Sequence, residues 1–255
     1  MHDKNGFLFE TSEEKYTGPF KYRKLYGQLL FLAVMIRLDI APALQVLGRF
    51  MCNPKKCHYE ALLRVVGYLK TCPKLGIVYG RRTTKTIIVE GETLPLFDFH
   101  SPLGMHVDAS YCTTGDGPST TGYVILSHGS PIAWKSTRQT STALSTGHSE
   151  VNAAVDGSQT LIWLRSLFID LNWTRDILPP TPIYEDNKCC VEQCDHPTNF
   201  RGTRHYTVKL QWMREHIHDR TFRMWLISTN FQHGDFFTKS LGVNKFLEFR
   251  NNLMG

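Results

Sequence analysis

Two apolar runs separated by a short polar turn lie at residues 122–134, which read Gly-Tyr-Val-Ile-Leu-Ser-His-Gly-Ser-Pro-Ile-Ala-Trp. Runs rich in β-branched and aromatic residues on either side of a glycine-containing turn are typical of β-strands. The stretch Met105-His106-Val107-Asp108, upstream of these runs, predicts a further strand. Three consecutive strands therefore form the first part of the predicted sheet.

A helical pattern follows these strands. A long amphipathic helix is predicted for residues 146–171, with its apolar positions at Val151, Ala154, Leu161, Leu164 and Phe168. The later elements are a fourth strand, two helices and a fifth strand, predicted at Pro182–Tyr184, residues 187–195, residues 204–218 and Phe222–Ile227. This order of elements predicts an α/β fold in which helices flank a mixed five-stranded sheet.

Helical patterns also precede the sheet. Apolar residues recur at helical spacing from Tyr22 to Met51, where Asp39 is placed to open a second helix, and residues 58–71 predict a third. Residues 76–79 and 86–89 then predict a hairpin. The predicted organisation is a loose leader, a helical tether or connection segment with the hairpin, the α/β domain and a C-terminal helical tail, at residues 1–20, 21–99, 100–242 and 243–255.

The composition is that of a globular protein. Hydrophobic residues make up 42% of the 255 residues and charged residues 20%, which excludes a disordered or fibrous chain. The longest apolar run, residues 29–36, is much shorter than the roughly 20 residues of a membrane span. No hydrophobic segment of a secretion signal follows Met1. We therefore expect a soluble protein without a membrane partner.

Cysteine content and charge narrow the class further. Seven cysteines, an odd number, favour a reducing compartment. The cysteines within residues 189–194 lie near His196, but no second pair of ligands at zinc spacing accompanies them, which disfavours a zinc site. The net charge of +6 comes from residues 1–99, because acidic and basic side chains balance in residues 100–255. This asymmetry fits a polyanion partner and fits a solvated basic face equally well.

Four carboxylates lie where such a fold gathers polar residues. Asp108 is on the first strand, and Glu150 is near the start of the long helix. Asp186 ends the fourth strand, and Asp235 starts a late helix. Carboxylates at strand ends and helix starts can converge on one edge of a sheet, where their oxygens suit Mg²⁺ or Mn²⁺. Two such ions about 4 Å apart would clamp a scissile phosphate, although any one of these residues could instead cap a helix or turn.

A series of short motifs runs in unbroken order along the chain. The motifs are Arg37-Leu38-Asp39-Ile40-Ala41, Arg49-Phe50-Met51-Cys52-Asn53-Pro54, Val107-Asp108-Ala109-Ser110, Ser119-Thr120-Thr121-Gly122-Tyr123, Ile132-Ala133-Trp134-Lys135-Ser136, Ile183-Tyr184-Glu185-Asp186-Asn187 and Asp235-Phe236-Phe237-Thr238-Lys239-Ser240-Leu241. In this order they resemble the ribonuclease H region of copia-type retrotransposon polyproteins, together with the segment that precedes it. The resemblance covers residues 20–255, and it implies a ribonuclease H-like domain at residues 100–242.

The resemblance implies endonucleolytic hydrolysis of the RNA strand of RNA–DNA hybrids, as part of retrotransposon reverse transcription. It implies two Mg²⁺ ions, with Mn²⁺ as an alternative. Asp108 would bridge both ions, and Asp235 would share the ion that activates water. Glu150 and Asp186 would hold the second ion. The implied partners are the hybrid and the polymerase part of the same polyprotein, and the implied location is an intracellular retroelement particle, in the cytoplasm or alternatively the nucleus.

Six further residues are predicted to contact nucleic acid. They are Lys135, Arg138, Gln139, Asn187, Arg204 and His205. Basic and aromatic residues after the third strand can follow a nucleic-acid backbone, and a polar cluster at a helix start can bind phosphate. Each position also has a structural interpretation, such as a helix cap at Asn187.

The chain departs from the family pattern at several positions. Two residues before Glu150, where the family usually has an acid, this chain has His148. Directly after Glu150, where the family usually has an aromatic residue, it has Val151. In the motif that begins at Asp108, the second acid of the family pattern is replaced by Ser110. Cellular ribonucleases H have a mobile histidine before the last aspartate, and His233 is a poor match to it by position. We interpret His233 either as a proton shuttle or as a surface histidine.

Two other interpretations stay open. The chain could be a catalytically inactive retroelement remnant that binds nucleic acid or a polymerase partner, or it could be a structural subunit that supports a separate polymerase. Polymerase activity itself is not expected, because the paired aspartates of the polymerase catalytic turn do not occur in the chain. Metal-dependent cleavage of a hybrid would distinguish an enzyme from a binding remnant.

Overall fold

The computed structural model describes residues 20–79, 86–89, 92–95, 103–111, 118–172, 178–196 and 203–254. The chain divides into two compact units, of which the first contains residues 1–78 and 239–255 and the second contains residues 79–238. Within the described ranges, no helix combines the length and the apolar composition that a membrane crossing requires.

The first unit is helical. Its helices are α1 (Tyr22–Met35), α2 (Ala41–Gly48), α3 (Lys56–Thr71) and the C-terminal helix (Val243–Met254). Side chains at helical spacing on the first three helices form a buried core that includes Tyr22, Leu29, Ala33, Leu44, Leu47, Leu62 and Val65. The helices predicted from periodicity before residue 72 are thereby confirmed.

Asp39 does not open a helix as predicted. It lies in a short 3₁₀ helix (Leu38–Ile40) and is 3% exposed. Its carboxylate accepts hydrogen bonds from the Arg37 guanidinium at 2.8 and 2.9 Å and from the Tyr68 hydroxyl at 2.7 Å. A two-pronged Arg–carboxylate pair of this kind is charge-assisted and fixes the orientation of the carboxylate. The predicted helix-opening role is therefore wrong, and the carboxylate instead joins segments inside the unit.

The C-terminal helix packs within the first unit. The Phe246 and Tyr68 rings meet edge to face with their centroids 6.2 Å apart. Arg250 donates a hydrogen bond from Nη1 to the Tyr68 hydroxyl at 3.3 Å. Because of such contacts, residues 243–255, predicted as a tail after the α/β domain, group with residues 1–78.

The hairpin forms between other segments than those predicted. Strand β1 (Thr86–Val89) pairs antiparallel with β2 (Glu92–Pro95). Residues 76–79 are not in a strand, and the Val78 amide donates to the Met254 carbonyl at 2.9 Å. The predicted pairing of residues 76–79 with β1 is therefore wrong. The segment that does pair lies closer along the chain, as the short connections of hairpins favour.

A mixed five-stranded sheet lies in the second unit. Its strands are β3 (Gly104–Ser110), β4 (Thr120–Ser127), β5 (Ser130–Arg138), β6 (Thr181–Glu185) and β7 (Phe222–Leu226). The strand order is β5-β4-β3-β6-β7. Strands β3, β4 and β5 pair antiparallel, whereas β6 is parallel to β3 and β7 is parallel to β6. This confirms the predicted mixed five-stranded sheet.

The sheet is flanked by α4 (Thr146–Asp170), α5 (Lys188–Asp195), α6 (Thr207–His218) and the short α7 (Asp235–Thr238). Helix α4 begins at a side-chain cap, because the Ser145 hydroxyl accepts the His148 amide at 3.1 Å. Apolar side chains of the sheet and helices share one core, which includes Met105, Val107, Ile125, Val151, Leu161 and Leu210. The element order and the sheet are those of a ribonuclease H-like α/β fold, as the resemblance implies.

Candidate active site

The neighbouring parallel strands β3 and β6 place two aspartates at one edge of the sheet. Their ladder pairs Met105 with Ile183 and ends at the pair His106–Tyr184. Asp108 lies two residues beyond His106, and Asp186 lies two residues beyond Tyr184. Because the strands are parallel, both aspartates are presented at the same carboxyl edge, where open α/β sheets bind their ligands.

A third aspartate comes from α7, which two glycines allow to lie against the sheet. A β-carbon at Gly234 would lie 2.7 Å from the Asp108 amide nitrogen and 2.8 Å from the Asp108 β-carbon. Gly122 stands opposite Asp108 on β4, and a β-carbon there would lie 2.5 Å from Cγ2 of Thr238. Only glycine leaves room at these positions, so α7 starts beside Asp108 and brings Asp235 to it.

Asp108, Asp186 and Asp235 form one close group. One carboxylate oxygen of each lies within 4.8 Å of the oxygens of the other two. Asp108 and Asp235 are each 1% exposed, and Asp186 is partly exposed. The Thr238 hydroxyl donates a hydrogen bond to Oδ2 of Asp108. Carboxylate oxygens are hard donors that suit divalent cations, so this triad fits a metal ion.

Glu150, the fourth predicted carboxylate, is a neighbour of the triad but not a member of the close group. It lies in the second turn of α4 and is 6% exposed. Its charge is among the causes that raise the pKa of the Glu185 carboxyl, together with the charge of Asp108. Glu150 therefore faces the same buried acidic region. The structure brings three of the four predicted carboxylates together and leaves the fourth beside them.

Glu185 is a residue of this region that the sequence did not single out. It ends β6, is fully buried, and accepts the Asn187 amide at its Oε1 at 3.1 Å. Burial raises the pKa of Glu185 well above its usual range, and the charges of Glu150 and Asp108 raise it further. The sequence offers two adjacent acids, Glu185 and Asp186, and successive residues of a strand point to opposite faces. The strand pattern alone therefore does not predict that Glu185 and Asp186 both lie near the site.

The sequence is similar to transposon polyproteins over most of its length, although no protein-family model matches it. It is 30% identical over 225 residues, 88% of the chain, to the retrovirus-related Pol polyprotein from transposon TNT 1-94 of Nicotiana tabacum. It is 29% identical over 243 residues, 95% of the chain, to the retrovirus-related Pol polyprotein from transposon RE1 of Arabidopsis thaliana. The chain is a homologue of copia-type transposon Pol polyproteins.

The chain spans only a small part of those relatives, 16% of the first and 15% of the second. It is also 28% identical over 143 residues to the secreted RxLR effector protein 161 of Plasmopara viticola, a match that covers 56% of the chain and 90% of that relative. The polyprotein matches extend over the first and second units alike, because they include 88% and 95% of the chain.

His233 is not in the environment predicted for it. It is fully buried, and its Nδ1 lies 2.9 Å from the Phe231 carbonyl oxygen. Its ring meets the His106 ring with centroids 4.8 Å apart, and His106 in turn packs against Tyr184 at 4.7 Å. The interpretation as a surface histidine is therefore wrong. Complete burial also does not suit a shuttle that exchanges protons with solvent.

Three of the predicted nucleic-acid contacts have partners within the protein. The Lys135 ammonium pairs with the Asp156 carboxylate at 2.8 and 2.9 Å. Asn187 caps α5 by accepting the Cys190 amide at 3.2 Å, which is the structural interpretation of this residue. Gln139 is 8% exposed, and its amide is hydrogen-bonded to neighbouring strand and helix groups. Contacts of these three residues with nucleic acid stay predictions.

The other three predicted contacts, Arg138, Arg204 and His205, are exposed. His205 Nε2 lies 3.1 Å from Nδ1 of His148, the residue two positions before Glu150. Burial lowers the pKa of His148, and the neighbouring His205 and Lys209 lower it further. The lowered pKa favours the uncharged form of the His148 imidazole at neutral pH.

Proposed function

We propose that the chain is a metal-dependent ribonuclease H, which cuts the RNA strand of RNA–DNA hybrids during retrotransposon reverse transcription. The observation that supports this most is the convergence of Asp108, Asp186 and Asp235 at the carboxyl edge of strands β3 and β6. Homology to Pol polyproteins supports a retrotransposon role. Because the chain spans only a small part of those relatives, its own activity rests on this site.

The proposed cofactor is a pair of Mg²⁺ ions, with Mn²⁺ as an alternative. Such ions supply an activated water and stabilise the leaving oxygen of the phosphodiester. The three triad aspartates are the proposed direct ligands, and Glu150 is the proposed additional ligand. Thr238 orients the Asp108 carboxylate through its hydrogen bond. The raised pKa of Glu185 favours its neutral form, which limits the negative charge buried beside the triad.

The proposed substrate is a polyanion, and the charge of the chain suits it. Residues 100–255 contain equal numbers of acidic and basic side chains, and four of the acids are the site carboxylates. Cations bound there would leave this part of the chain net basic, which favours binding to phosphates. The exposed Arg138, Arg204 and His205 are the proposed phosphate contacts. A protein tells RNA from DNA by its 2′-hydroxyl, which both donates and accepts hydrogen bonds.

The proposed setting follows from the same family. We infer that the polymerase part of the polyprotein is a partner, and that the location is an intracellular retroelement particle in the cytoplasm or nucleus. A binding module without catalysis is the second candidate function. The observation that favours it is His148, whose uncharged imidazole replaces a family acid two residues from Glu150.

Cleavage of a labelled RNA–DNA hybrid tests the proposal. The wild-type chain is incubated with Mg²⁺ or Mn²⁺ beside the variants Asp108→Asn and Asp219→Asn. Asp219 is a matched control because its side chain is 73% exposed and forms no part of the site. We expect cleavage of the RNA strand alone, with 5′-phosphate and 3′-hydroxyl ends. Removing a metal ligand weakens transition-state stabilisation by several kcal/mol, so Asp108→Asn should lower the rate at least about 100-fold.

The control variant should cleave at the wild-type rate. A folded wild-type sample that cuts nothing with either ion, yet shifts the hybrid in a gel, would contradict the nuclease and favour the binding module. Equal cleavage by wild type and Asp108→Asn would show that the activity comes from another site or a contaminant.

A further inference from the structure

The segment that leads into α7 contains a fully buried glutamine, Gln232, which takes no part in the proposed chemistry. It follows a short 3₁₀ helix (Thr229–Phe231) and precedes Asp235 by three residues. A side-chain amide has two N–H donors and a carbonyl acceptor, and burying it is unfavourable unless they are paired. The partners of Gln232 therefore explain its position.

The amide of Gln232 joins the three segments that carry the triad. Nε2 donates to the Val107 carbonyl at 2.9 Å and to the Tyr184 carbonyl at 3.1 Å. Oε1 accepts the Gly234 amide at 3.0 Å. Val107 directly precedes Asp108, Gly234 directly precedes the third aspartate, and Tyr184 lies two residues before the second.

The Gln232 amide makes these hydrogen bonds at the end of the hydrogen-bond ladder between β3 and β6. The last pair of that ladder is His106–Tyr184. At this end of the ladder the carbonyls of Val107 and Tyr184 accept hydrogen bonds from one NH₂ group, so a single side chain bridges the two strands. One planar amide therefore contacts both strands with hydrogen bonds of ordinary length.

We propose that Gln232 is a positioning residue of the metal site. It holds β3, β6 and the start of α7 at the spacing at which the triad oxygens lie within 4.8 Å of one another. Gln232 binds neither metal nor substrate, and it acts on the reaction through the three aspartates. Because this role concerns the proposed active site, it rests on the proposed function.

Gln193 is a matched control for a buried glutamine without this role. It is 6% exposed on α5, and its side-chain amide is also hydrogen-bonded. Its Nε2 donates to Sγ of Cys189 at 3.1 Å, and its Oε1 accepts the Tyr206 hydroxyl at 3.0 Å. Neither partner is adjacent in sequence to a triad aspartate, so loss of this amide should affect stability and leave the metal site intact.

The test compares Gln232→Met with Gln193→Met in the full chain. Methionine has a similar length and no N–H donors, so each variant removes one amide with little change of volume. Binding of Mn²⁺ is measured by titration calorimetry, and melting temperature is measured in parallel. We expect Gln232→Met to raise the Kd for Mn²⁺ at least 10-fold, a loss that the control variant does not share, while both variants lower the melting temperature.

A second measurement uses the protein without metal. Hydrogen exchange of the Gly234 amide should be faster in Gln232→Met than in wild type, because its acceptor is lost. If Gln232→Met does not fold, the variant Gln232→Asn is used in its place. Its amide is one methylene shorter and cannot reach both carbonyls, so we expect a smaller but measurable rise of the Kd for Mn²⁺.

Wild-type Mn²⁺ affinity in a folded Gln232→Met or Gln232→Asn protein would overturn the positioning role, and the glutamine would then be part of the core only. The test is separate from that of the nuclease. If wild type binds Mn²⁺ through Asp108 but cuts no hybrid, the proposed function fails, and the metal affinity of the Gln232 variants still decides the role of Gln232.

Discussion

Single residues decide how closely the three aspartates approach one another. Gly234 lies so near β3 that a β-carbon there would be 2.7 Å from the Asp108 amide nitrogen and 2.8 Å from the Val107 carbonyl carbon. These are backbone atoms of a central strand, which cannot turn aside as the end of a flexible side chain can. The absence of a side chain at residue 234 is therefore a condition for Asp235 to join the site.

Replacement of Gly234 by alanine is expected to push α7 away from β3. Overpacking of this kind costs typically about 1–3 kcal/mol. We expect Gly234→Ala to lose that much free energy of unfolding in urea, and to bind Mn²⁺ at least about 10-fold more weakly, since 1.4 kcal/mol corresponds to a tenfold change of Kd. Urea unfolding and titration calorimetry measure the two effects.

Gly27 provides the control for this substitution, because among the residues that the structure describes none outside the local backbone of α1 lies within 4 Å of a β-carbon there. Alanine in place of glycine inside a helix stabilises typically by about 0.5–1 kcal/mol. Gly27→Ala should therefore unfold at the same or a higher urea concentration, with its Mn²⁺ affinity unchanged. If the two alanine variants bind Mn²⁺ equally well, the Gly234 contact does not set the geometry of the site.

The sequence predicts the acids of the site better than the residues that hold them. Asp108 and Asp186 can be predicted to share an edge, because Asp108 lies near the carboxyl end of its strand and Asp186 directly follows a later strand of an α/β sheet. Glu185 and Gln232 could not be predicted, since a glutamate beside an aspartate and a glutamine in a loop are ordinary surface patterns. The role of Glu185 comes from its burial, and that of Gln232 comes from burial and three hydrogen bonds that exist only in the folded chain.

At the scale of elements, long patterns determine structure and short ones do not. The apolar periodicity of residues 146–171 predicts a single helix, and α4 covers Thr146–Asp170. A four-residue run such as residues 76–79 has strand propensity but does not specify a partner, and β1 pairs with β2 instead. Strand pairing depends on register and turn geometry, which a short run does not encode.

The contribution of the N-terminal cap of α4 to the free energy of unfolding can be measured. Ser145 accepts the His148 amide at the start of the helix that carries Glu150. Loss of a serine cap costs typically about 1 kcal/mol. We expect Ser145→Ala to lower the free energy of unfolding in urea by about that amount, and Ser145→Asp to restore it, because aspartate caps as well as serine does. An alanine variant as stable as wild type, with Ser145→Asp unchanged, would contradict this role of the cap.

At the scale of the whole molecule, metal binding and folding are linked. The triad lies in the second unit, where two of its three aspartates are almost completely buried. Like charges at this spacing repel one another, and burial weakens the screening by water. A cation that binds only the folded chain removes this cost and stabilises the fold by mass action.

We therefore expect Mn²⁺ to raise the melting temperature of the full chain. At a concentration of 100 times the Kd, one site adds about 2.7 kcal/mol, or about 5–10 °C for a chain of this length. Asp108→Asn should melt at or above the wild-type temperature without metal, because one repelling charge is gone, and should lose the Mn²⁺ shift. The exposed Asp219→Asn should keep it. Scanning calorimetry with and without Mn²⁺ measures these shifts, and an undiminished shift in Asp108→Asn would mean that the stabilising ion binds outside the triad.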